Sequence, residues 1–199
     1  MNKKLAIIGA GGHGKVVGEI ALLNEYKSID FFDDNPKNNK KFPFQVRGNL
    51  NQLKDNLKYY DFFFVAIGDC KTRYEKMLWL KKEKVEIINL IHPNSIISKF
   101  SLLGVGNCIM ANAVINPGTL IKEGTIINTS SSIDHDCVIG DYSHISPNCS
   151  LSGNVSIGNF THLGTGSSVH PGIHIGNNVK TGIGSKIFKN ISDNDVLKN

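Results

Sequence analysis

The chain has 199 residues, of which 40% are hydrophobic and 20% are charged, and it carries a formal net charge of +5. These proportions are ordinary for a soluble globular protein. No apolar run approaches the roughly 18 residues that a transmembrane helix needs, and the short apolar stretch near the N-terminus is too brief for a secretory signal peptide.

The positive charge is concentrated in the first half of the chain. Residues 1–90 carry 16 Lys and Arg against 11 Asp and Glu, whereas residues 91–199 carry six of each. This modest bias suits an anionic small ligand, but the dense basic runs typical of nucleic-acid binding are missing, so we expect no nucleic-acid partner.

The four cysteines lack CxxC or framework spacing, which favours reduced thiols and a cytoplasmic protein.

The first 90 residues alternate between strand and helix patterns. In chain order, the predicted elements are a strand "KLAII" (4–8), a turn "GAGGHG" (9–14), a helix "KVVGEIALLNEY" (15–26), a strand "SIDFF" (28–32), a loop, a strand "DFFFVAIG" (61–68), a helix "CKTRYEKMLWLKKEK" (70–84) and a closing strand "VEIINLI" (85–91). This alternation predicts a small Rossmann-like α/β domain with a parallel sheet over residues 1–90.

A glycine-rich loop lies between the first strand and the first helix. Gly9, Gly11 and Gly14 follow the G-x-G-x-x-G spacing of nucleotide-binding loops, in which glycines let the backbone approach a phosphate. The helix N-terminus favours the negative charge, and Asp33 and Asp34 at the end of the second strand could bind a ribose or sugar hydroxyl. The domain is too small for a full dinucleotide fold, so we predict a nucleotide-sugar site. The alternative is that the glycines serve only a tight turn.

A six-residue repeat runs from Ile91 to Ile187. Sixteen of its seventeen first positions are aliphatic, Thr181 being the exception, and its fifth positions are mostly Ser, Thr, Ala or Cys. A fixed period of six is typical of a parallel β-helix, in which three hexads form one coil of 18 residues. The sequence therefore predicts a β-helix domain over residues 91–199, rather than a β-sandwich with accidental spacing.

The segment "SSIDHDCVIG" carries a candidate catalytic histidine at a corner of this prism. His135 lies between Asp134 and Asp136, and stacking of residues 18 apart places Gly153 directly above it, which predicts open space beside the ring. An imidazole with an ordinary pKa near 6.5 suits a general base, and a neighbouring carboxylate would fix its tautomer. Spacing alone leaves open which aspartate does so.

The same stacking rule predicts two further columns. His144 should lie beneath His162, and Gly164 beneath Gly182, which would make a bare strip along which a thin ligand could lie. A zinc site of the γ-carbonic-anhydrase type, built from His135 and these two histidines, is a distant alternative. A non-catalytic β-helix scaffold is another, and it predicts no coenzyme binding.

Five segments carry a family resemblance that extends over nearly the whole chain. They are "GAGGHGKVV", "FFDDN", "FFFVAIGD", "NTSSSIDHDCVIGDYSHIS" and "SGNVSIGNF". They resemble bacterial sugar acetyltransferases of the bacillosamine and sialic acid pathways, which are hexapeptide-repeat acyltransferases. The resemblance implies a left-handed β-helix, a homotrimer, and acetyl-CoA bound without any metal in the groove between adjacent β-helices.

The resemblance also implies roles for individual residues. His135 would be the base, supported by Asp136, and the backbone N–H of Gly153 would stabilise the tetrahedral oxyanion. The residues implied at the acetyl-CoA site are His144, Thr165 and Ile183, beside the strip of Gly164 and Gly182. The residues implied at the nucleotide-sugar site are Gly11, Gly12, His13, Asp33, Asp34, Gly68 and Arg73.

The reaction implied is N-acetylation of the 4-amino group of a nucleotide-linked 4-amino-4,6-dideoxy sugar. O-acetylation of a sialic acid is the alternative within the same chemistry. The glycine loop and the Asp33–Asp34 pair favour the first, because free sialic acid has little use for a phosphate-binding loop. The residues do not distinguish UDP, dTDP and GDP carriers.

Overall fold

The computed structural model describes residues 3–35 and 43–198. The chain divides after Leu90 into two compact units, here called the N-terminal unit and the β-helix unit. In the described part of the chain, no helix has both the length and the apolarity that crossing a membrane requires.

The N-terminal unit is built on a four-stranded parallel sheet with the strand order β3-β2-β1-β4. Its elements are β1 Lys4–Ile8, α1 Gly12–Leu23, β2 Ser28–Phe32, β3 Val46–Gly48, α2 Leu50–Asp55, a 3-10 turn Leu57–Tyr59, β4 Phe62–Val65 and α3 Cys70–Lys82. Strand β1 lies inside the sheet and is almost continuously buried. Strand β4 is at the end of the strand order but is also buried, and its Phe63 forms a bridge to Ile87. The predicted Rossmann-like fold is confirmed.

Three element predictions for this unit were wrong in detail. Helix α1 begins at Gly12 rather than residue 15, so half of the glycine loop forms its first turn. The predicted loop contains β3 and α2, and α2 begins with a capping box between Asn49 and Gln52. The predicted closing strand 85–91 reaches the sheet only through a single bridge between Ile87 and Phe63.

The β-helix unit consists of two-residue strands that recur every six residues. They are β5 Leu90–Ile91, β6 Ile96–Ile97, β7 Leu102–Leu103, β8 Cys108–Ile109, β9 Val114–Ile115, β10 Leu120–Ile121, β11 Ile126–Ile127, β12 Ser132–Ile133, β13 Val138–Ile139, β14 His144–Ile145, β15 Ser150–Leu151, β16 Ser156–Ile157, β17 His162–Leu163, β18 Ser168–Val169, β19 His174–Ile175, β20 Lys180–Thr181, β21 Lys186–Ile187 and β22 Val196–Leu197. They form three parallel sheets, and the fold is the predicted left-handed β-helix.

The repeat is explained by one interior position and one turn position in each hexad. The first-position side chains, such as Ile109 and Ile139, form a continuous buried core. The fourth position has a positive φ in every hexad from Asn112 to Gly184. Gly and Asn adopt this left-handed conformation at low cost, which explains their frequency there.

The small fifth-position side chains form a ladder of hydrogen bonds along the β-helix. Thr161 Oγ1 donates to the Gly176 carbonyl oxygen at 2.7 Å and accepts the Val179 N–H at 3.1 Å. Ser143 donates to the Gly158 carbonyl in the same way, and the cysteines in this column use their thiols. Where the fifth position holds Ser, Thr or Cys, its side chain thus fills the corner and also donates a hydrogen bond along the β-helix.

Replacing Thr161 by valine is expected to lower the free energy of unfolding by about 1–3 kcal/mol. Valine keeps the volume but leaves the Val179 N–H and the Gly176 carbonyl buried without this partner. The urea midpoint would be compared with that of Thr161→Ser, which retains the hydroxyl. A Thr161→Val midpoint equal to that of the wild type would show that the ladder does not contribute to stability.

The last coil is shorter than the others. Ile175 pairs with Ile191, and Lys180 pairs with Val196, so partners here are 16 rather than 18 residues apart. The hexad pattern accordingly ends at Ile187, where the predicted repeat also stopped.

Candidate active site and nucleotide pocket

The predicted catalytic pair lies in the turn between β12 and β13. His135 Nδ1 is 2.8 Å from Asp136 Oδ2, and the two side chains are 54% and 59% exposed. Because a carboxylate only accepts hydrogen bonds, this contact places the proton of neutral His135 on Nδ1. Nε2 is then an acceptor without a hydrogen-bond partner among residues 3–35 and 43–198, which is the geometry a general base requires.

The second aspartate fixes the backbone of the same turn. Asp134 Oδ1 accepts the backbone N–H of His135 at 2.8 Å and the side-chain amide of Asn116 at 2.9 Å. These hydrogen bonds, first that from Asn116, lower the pKa of Asp134. The hydrogen bond to Asp136 and then the charge of Asp134 raise the pKa of His135 above its usual value. The geometry thus gives Asp136 the direct contact with the ring.

Gly153 lies directly against the His135 ring. A Cβ on Gly153 would be 2.6 Å from both Cε1 and Nε2 of His135, so the imidazole fills the space that the sequence predicted to be open. The Gly153 carbonyl accepts the N–H of Gly172, whereas its own N–H makes no hydrogen bond among the described residues. That N–H is therefore available to an oxyanion close to the ring.

The other predicted coenzyme residues lie elsewhere on the β-helix. The rings of His144 and His162 stack at 4.5 Å between centroids with an interplanar angle of 14°. Asn128 Nδ2 is 3.0 Å from His144 Nε2, and Ser146 Oγ is 2.9 Å from His162 Nε2. Among the described residues, no group of three metal-ligating side chains converges.

The predicted glycine strip is present at a different corner from His135. A Cβ on Gly164 would overlap the Gly182 carbonyl, so the two glycines stack closely. Thr165 and Ile183 follow them and are exposed, Ile183 by 74%. This corner joins β17 to β18, whereas His135 lies after β12, so the strip and His135 border the same sheet on opposite sides.

A cavity of about 660 Å³ lies in the N-terminal unit at the carboxyl ends of β1, β2 and β4. Ligands of open α/β sheets bind at this edge. Six of the seven residues predicted for the nucleotide-sugar site line it: Gly11, Gly12, His13, Asp33, Asp34 and Gly68. Residues that sequence reasoning missed also line it: Asn35, Leu50, Ile67, Thr72 and Lys76.

The N-terminus of helix α1 lines this cavity and suits an anionic ligand. The N-cap of helix α1 is Gly11, which provides no side-chain cap, and the first turn has no acidic residue, so among the described residues no side-chain charge or cap compensates the N–H groups at this end of the helix. A Cβ on Gly12 or Gly68 would meet nothing within 4 Å, which leaves room for a ligand. Lys76 Nζ lies 3.8 Å from Asp34 Oδ2, so this cation is paired with a carboxylate at the cavity wall.

The aspartates of this site also hold the loops around it. Asp33 accepts the backbone N–H groups of Ala10 and Asn35, each at 2.7 Å, and so ties the glycine loop to the end of β2. Asp34 accepts the N–H of Leu50 at 3.0 Å, at the start of α2. Both carboxylates are therefore positioned before any ligand binds.

Arg73 does not line the cavity, which corrects the prediction for that residue. It is 1% exposed, and its Nη1 donates to the carbonyl oxygens of Ile67 and Gly68, both at 2.8 Å. It supports the cavity wall from behind. Burial, followed by the charge of Arg73, lowers the pKa of His13 to about 4, so His13 is neutral at pH 7.

Comparisons with known proteins identify a family model for the N-terminal residues and a curated relative for about half of the chain. Residues 4–80 match the model of the PglD N-terminal domain family. A UDP-N-acetylbacillosamine N-acetyltransferase from Bacillus subtilis is 37% identical over 111 residues, which cover 52% of this chain and 50% of that protein. The match thus spans half the length of the curated relative.

Solved structures match nearly the full length. The acetyltransferase domain of PglB from Neisseria gonorrhoeae, in complex with acetyl coenzyme A, is 36% identical with a TM-score of 0.93, and 98% of this chain and 96% of that chain are covered. PerB from Caulobacter crescentus, in complex with CoA and GDP-perosamine, is 32% identical with a TM-score of 0.89, and 97% and 92% are covered.

Proposed function

The chain belongs to the family of bacterial sugar acetyltransferases that includes PglB and PerB, and we propose that it transfers the acetyl group of acetyl-CoA to the 4-amino group of a nucleotide-linked 4-amino-4,6-dideoxy sugar. The observation that carries this proposal is the His135–Asp136 pair, whose Nε2 is free to accept a proton. The acidic and basic lining of the N-terminal cavity supports a nucleotide-bearing acceptor.

The chemistry needs only groups described above. The sugar amine attacks the thioester carbonyl while His135 Nε2 takes a proton from the nitrogen, and Asp136 stabilises the imidazolium through Nδ1. The Gly153 N–H donates to the oxyanion that forms. The C–S bond then breaks, and the CoA thiolate takes the proton back from His135.

The placement of the two predicted coenzyme features supports a site shared between copies of the chain. The Gly164–Gly182 strip and His135 border one sheet on opposite sides, so two β-helices side by side can bring the strip of one copy against His135 of the other. Ile96, Phe100 and Leu102 are each about two-thirds exposed and would be covered in such an assembly. We infer a homotrimer with acetyl-CoA in each groove between subunits.

The N-terminal cavity is proposed to hold the nucleotide and its diphosphate. The diphosphate would bind the N-terminus of α1, where Gly11 and Gly12 let it approach the backbone. Because acetyl-CoA and sugar nucleotides are cytoplasmic metabolites and the four cysteines, all within the described residues, form no disulfide, we infer that the protein acts in the cytoplasm.

A CoA-release assay against a panel of acceptors tests the proposed function. The panel contains UDP-, dTDP- and GDP-linked 4-amino-sugars, together with free and CMP-linked sialic acid. Turnover of one amino-sugar nucleotide is expected and would identify the carrier. Turnover of sialic acid alone would overturn the proposal in favour of O-acetylation, and failure to bind acetyl-CoA would favour a scaffold.

The pH profile of the same assay tests the role of Asp136. Because His135 must be neutral to act as a base and its pKa is raised, kcat should fall as the pH drops through that raised pKa. Asp136→Asn should lower the plateau of kcat and move this fall to lower pH. A profile unchanged by Asp136→Asn, but changed by Asp134→Asn, would assign the supporting role to Asp134.

A further inference from the structure

Gly118 lies one coil before Asp136, at the same turn position. Both residues have a positive φ, +77° for Gly118 and 58° for Asp136. A Cβ on Gly118 would overlap Oδ1 of Asp136 and lie 3.3 Å from its Cγ. The carboxylate of Asp136 therefore occupies the space above the bare backbone of Gly118.

We propose that Gly118 is a positioning residue for the catalytic pair: its missing side chain gives the Asp136 carboxylate the space in which Oδ2 reaches His135 Nδ1. This role rests on the proposed function, in which His135 is the base. The other carboxylate oxygen faces Gly118, so any side chain there displaces the carboxylate as a whole.

The backbone alone does not explain a glycine at this position. The equivalent turn position is occupied by Asn112, Ser130 and Asn154, all at φ between 56° and 59°. The β-helix thus accepts ordinary side chains in this conformation. Glycine also stands at this turn position at 166, 172 and 184, but a Cβ there would meet nothing within 4 Å, whereas a Cβ at 118 would overlap the Asp136 carboxylate of the next coil. The steric need for a missing side chain at 118 therefore comes from the catalytic pair.

The consequence of filling this space is functional more than structural. Asp136 is 59% exposed, so its carboxylate can rotate into solvent when a methyl group occupies the space. The charged groups facing His135 are Asp134 and Asp136, and the corner residues of the coils on either side, 116–118 and 152–154, carry no charge. Because Asp134 Oδ1 is held by Asn116 and by the backbone N–H of His135, we expect Asp134 not to replace a displaced Asp136 carboxylate at Nδ1.

Gly118→Ala tests the proposal, with Gly172→Ala as the matched control. Gly172 has a φ of +70° and the same turn position two coils beyond Asp136, but a Cβ there meets nothing within 4 Å. In both variants an alanine must adopt a positive φ, which costs a similar free energy of folding. Only Gly118→Ala also displaces the carboxylate of Asp136. The readouts are the NMR titration of His135, assigned by comparison with His135→Ala, and the pH dependence of kcat.

The expected result is a lower His135 pKa in Gly118→Ala, close to that in Asp136→Asn, with kcat reduced at least about tenfold. Gly172→Ala should resemble the wild type in both measurements. Adding Gly118→Ala to Asp136→Asn should cause no further loss, because both changes remove the same interaction.

An unchanged His135 titration in Gly118→Ala would overturn the proposal, and so would a full additional loss in the double variant. The NMR titration needs no substrate, so it tests the positioning role of Gly118 separately from the proposed acetyltransferase function. A shifted titration in a protein without acetyltransferase activity would refute the proposed function while supporting the positioning role of Gly118.

Discussion

Replacing His135 by alanine is expected to lower kcat by about three orders of magnitude, while the Kd for acetyl-CoA stays nearly unchanged. A positioned general base contributes about 10² to 10⁴ in rate. In the same turn, Asp134 Oδ1 accepts the His135 backbone N–H and Asp136 Oδ2 contacts Nδ1 of the ring, so we expect neither carboxylate to replace Nε2 as the base. Steady-state kinetics and calorimetric titration with acetyl-CoA would measure the two quantities.

The matched control is His174→Ala. His174 is also an exposed histidine on the β-helix, and its Nδ1 lies 2.7 Å from Ser156 Oγ. The control should retain the wild-type rate. If His135→Ala also kept near wild-type kcat, the base assignment would be refuted, and the ionisation of the amine would have to be explained by another group.

The repeat made the β-helix unit predictable to the level of single side chains. Each coil reproduces the environment of the previous one, so the register of one hexad sets all the others. The interior positions Ile109 and Leu163 are fully buried as the register requires, and His144 stacks on His162 as the 18-residue spacing indicates. Prediction stops at Ile187, where the last coil loses two residues.

The features that residue spacing alone did not reveal depend on side-chain direction, although the family resemblance did name Asp136 as the partner of His135. The spacing places Asp134 and Asp136 equally close to His135, and only their rotamers and backbone contacts separate a ring partner from a backbone partner. Likewise, Arg73 follows the Ile67–Gly68 wall closely in sequence, but its helix turns the guanidinium behind that wall. Proximity along the chain was insufficient in both cases.

The short elements of the N-terminal unit were missed for another reason. Helix α2 has six residues, too few to show a helical period, although its capping box at Asn49 and Gln52 was a readable signal. The segment 85–91 reads as an apolar strand, yet its last residues belong to the first strand of the β-helix rather than to the sheet. Apolar pattern alone does not say which sheet a strand joins.

Gly12→Asp is expected to raise the KM for the nucleotide sugar about a hundredfold and to leave the Kd for acetyl-CoA unchanged. The new carboxylate would lie at the N-terminus of α1, where it takes the place of the diphosphate and repels it. Stability should not fall, because a Cβ on Gly12 meets nothing within 4 Å and an acidic first turn stabilises a helix by about 0.3–1 kcal/mol. Loss of binding would therefore not reflect loss of folding.

Gly12→Asn separates charge from size in this experiment. Asparagine has nearly the same volume as aspartate, so a steric block would raise KM equally in both variants, whereas repulsion of a diphosphate would raise it mainly in Gly12→Asp. The part of the KM increase that is caused by charge repulsion should also become smaller as salt is added, because the cavity opens to solvent. Equal KM values for the wild type and Gly12→Asp would place the diphosphate away from α1, and the glycine loop would then be explained by the early start of that helix at Gly12.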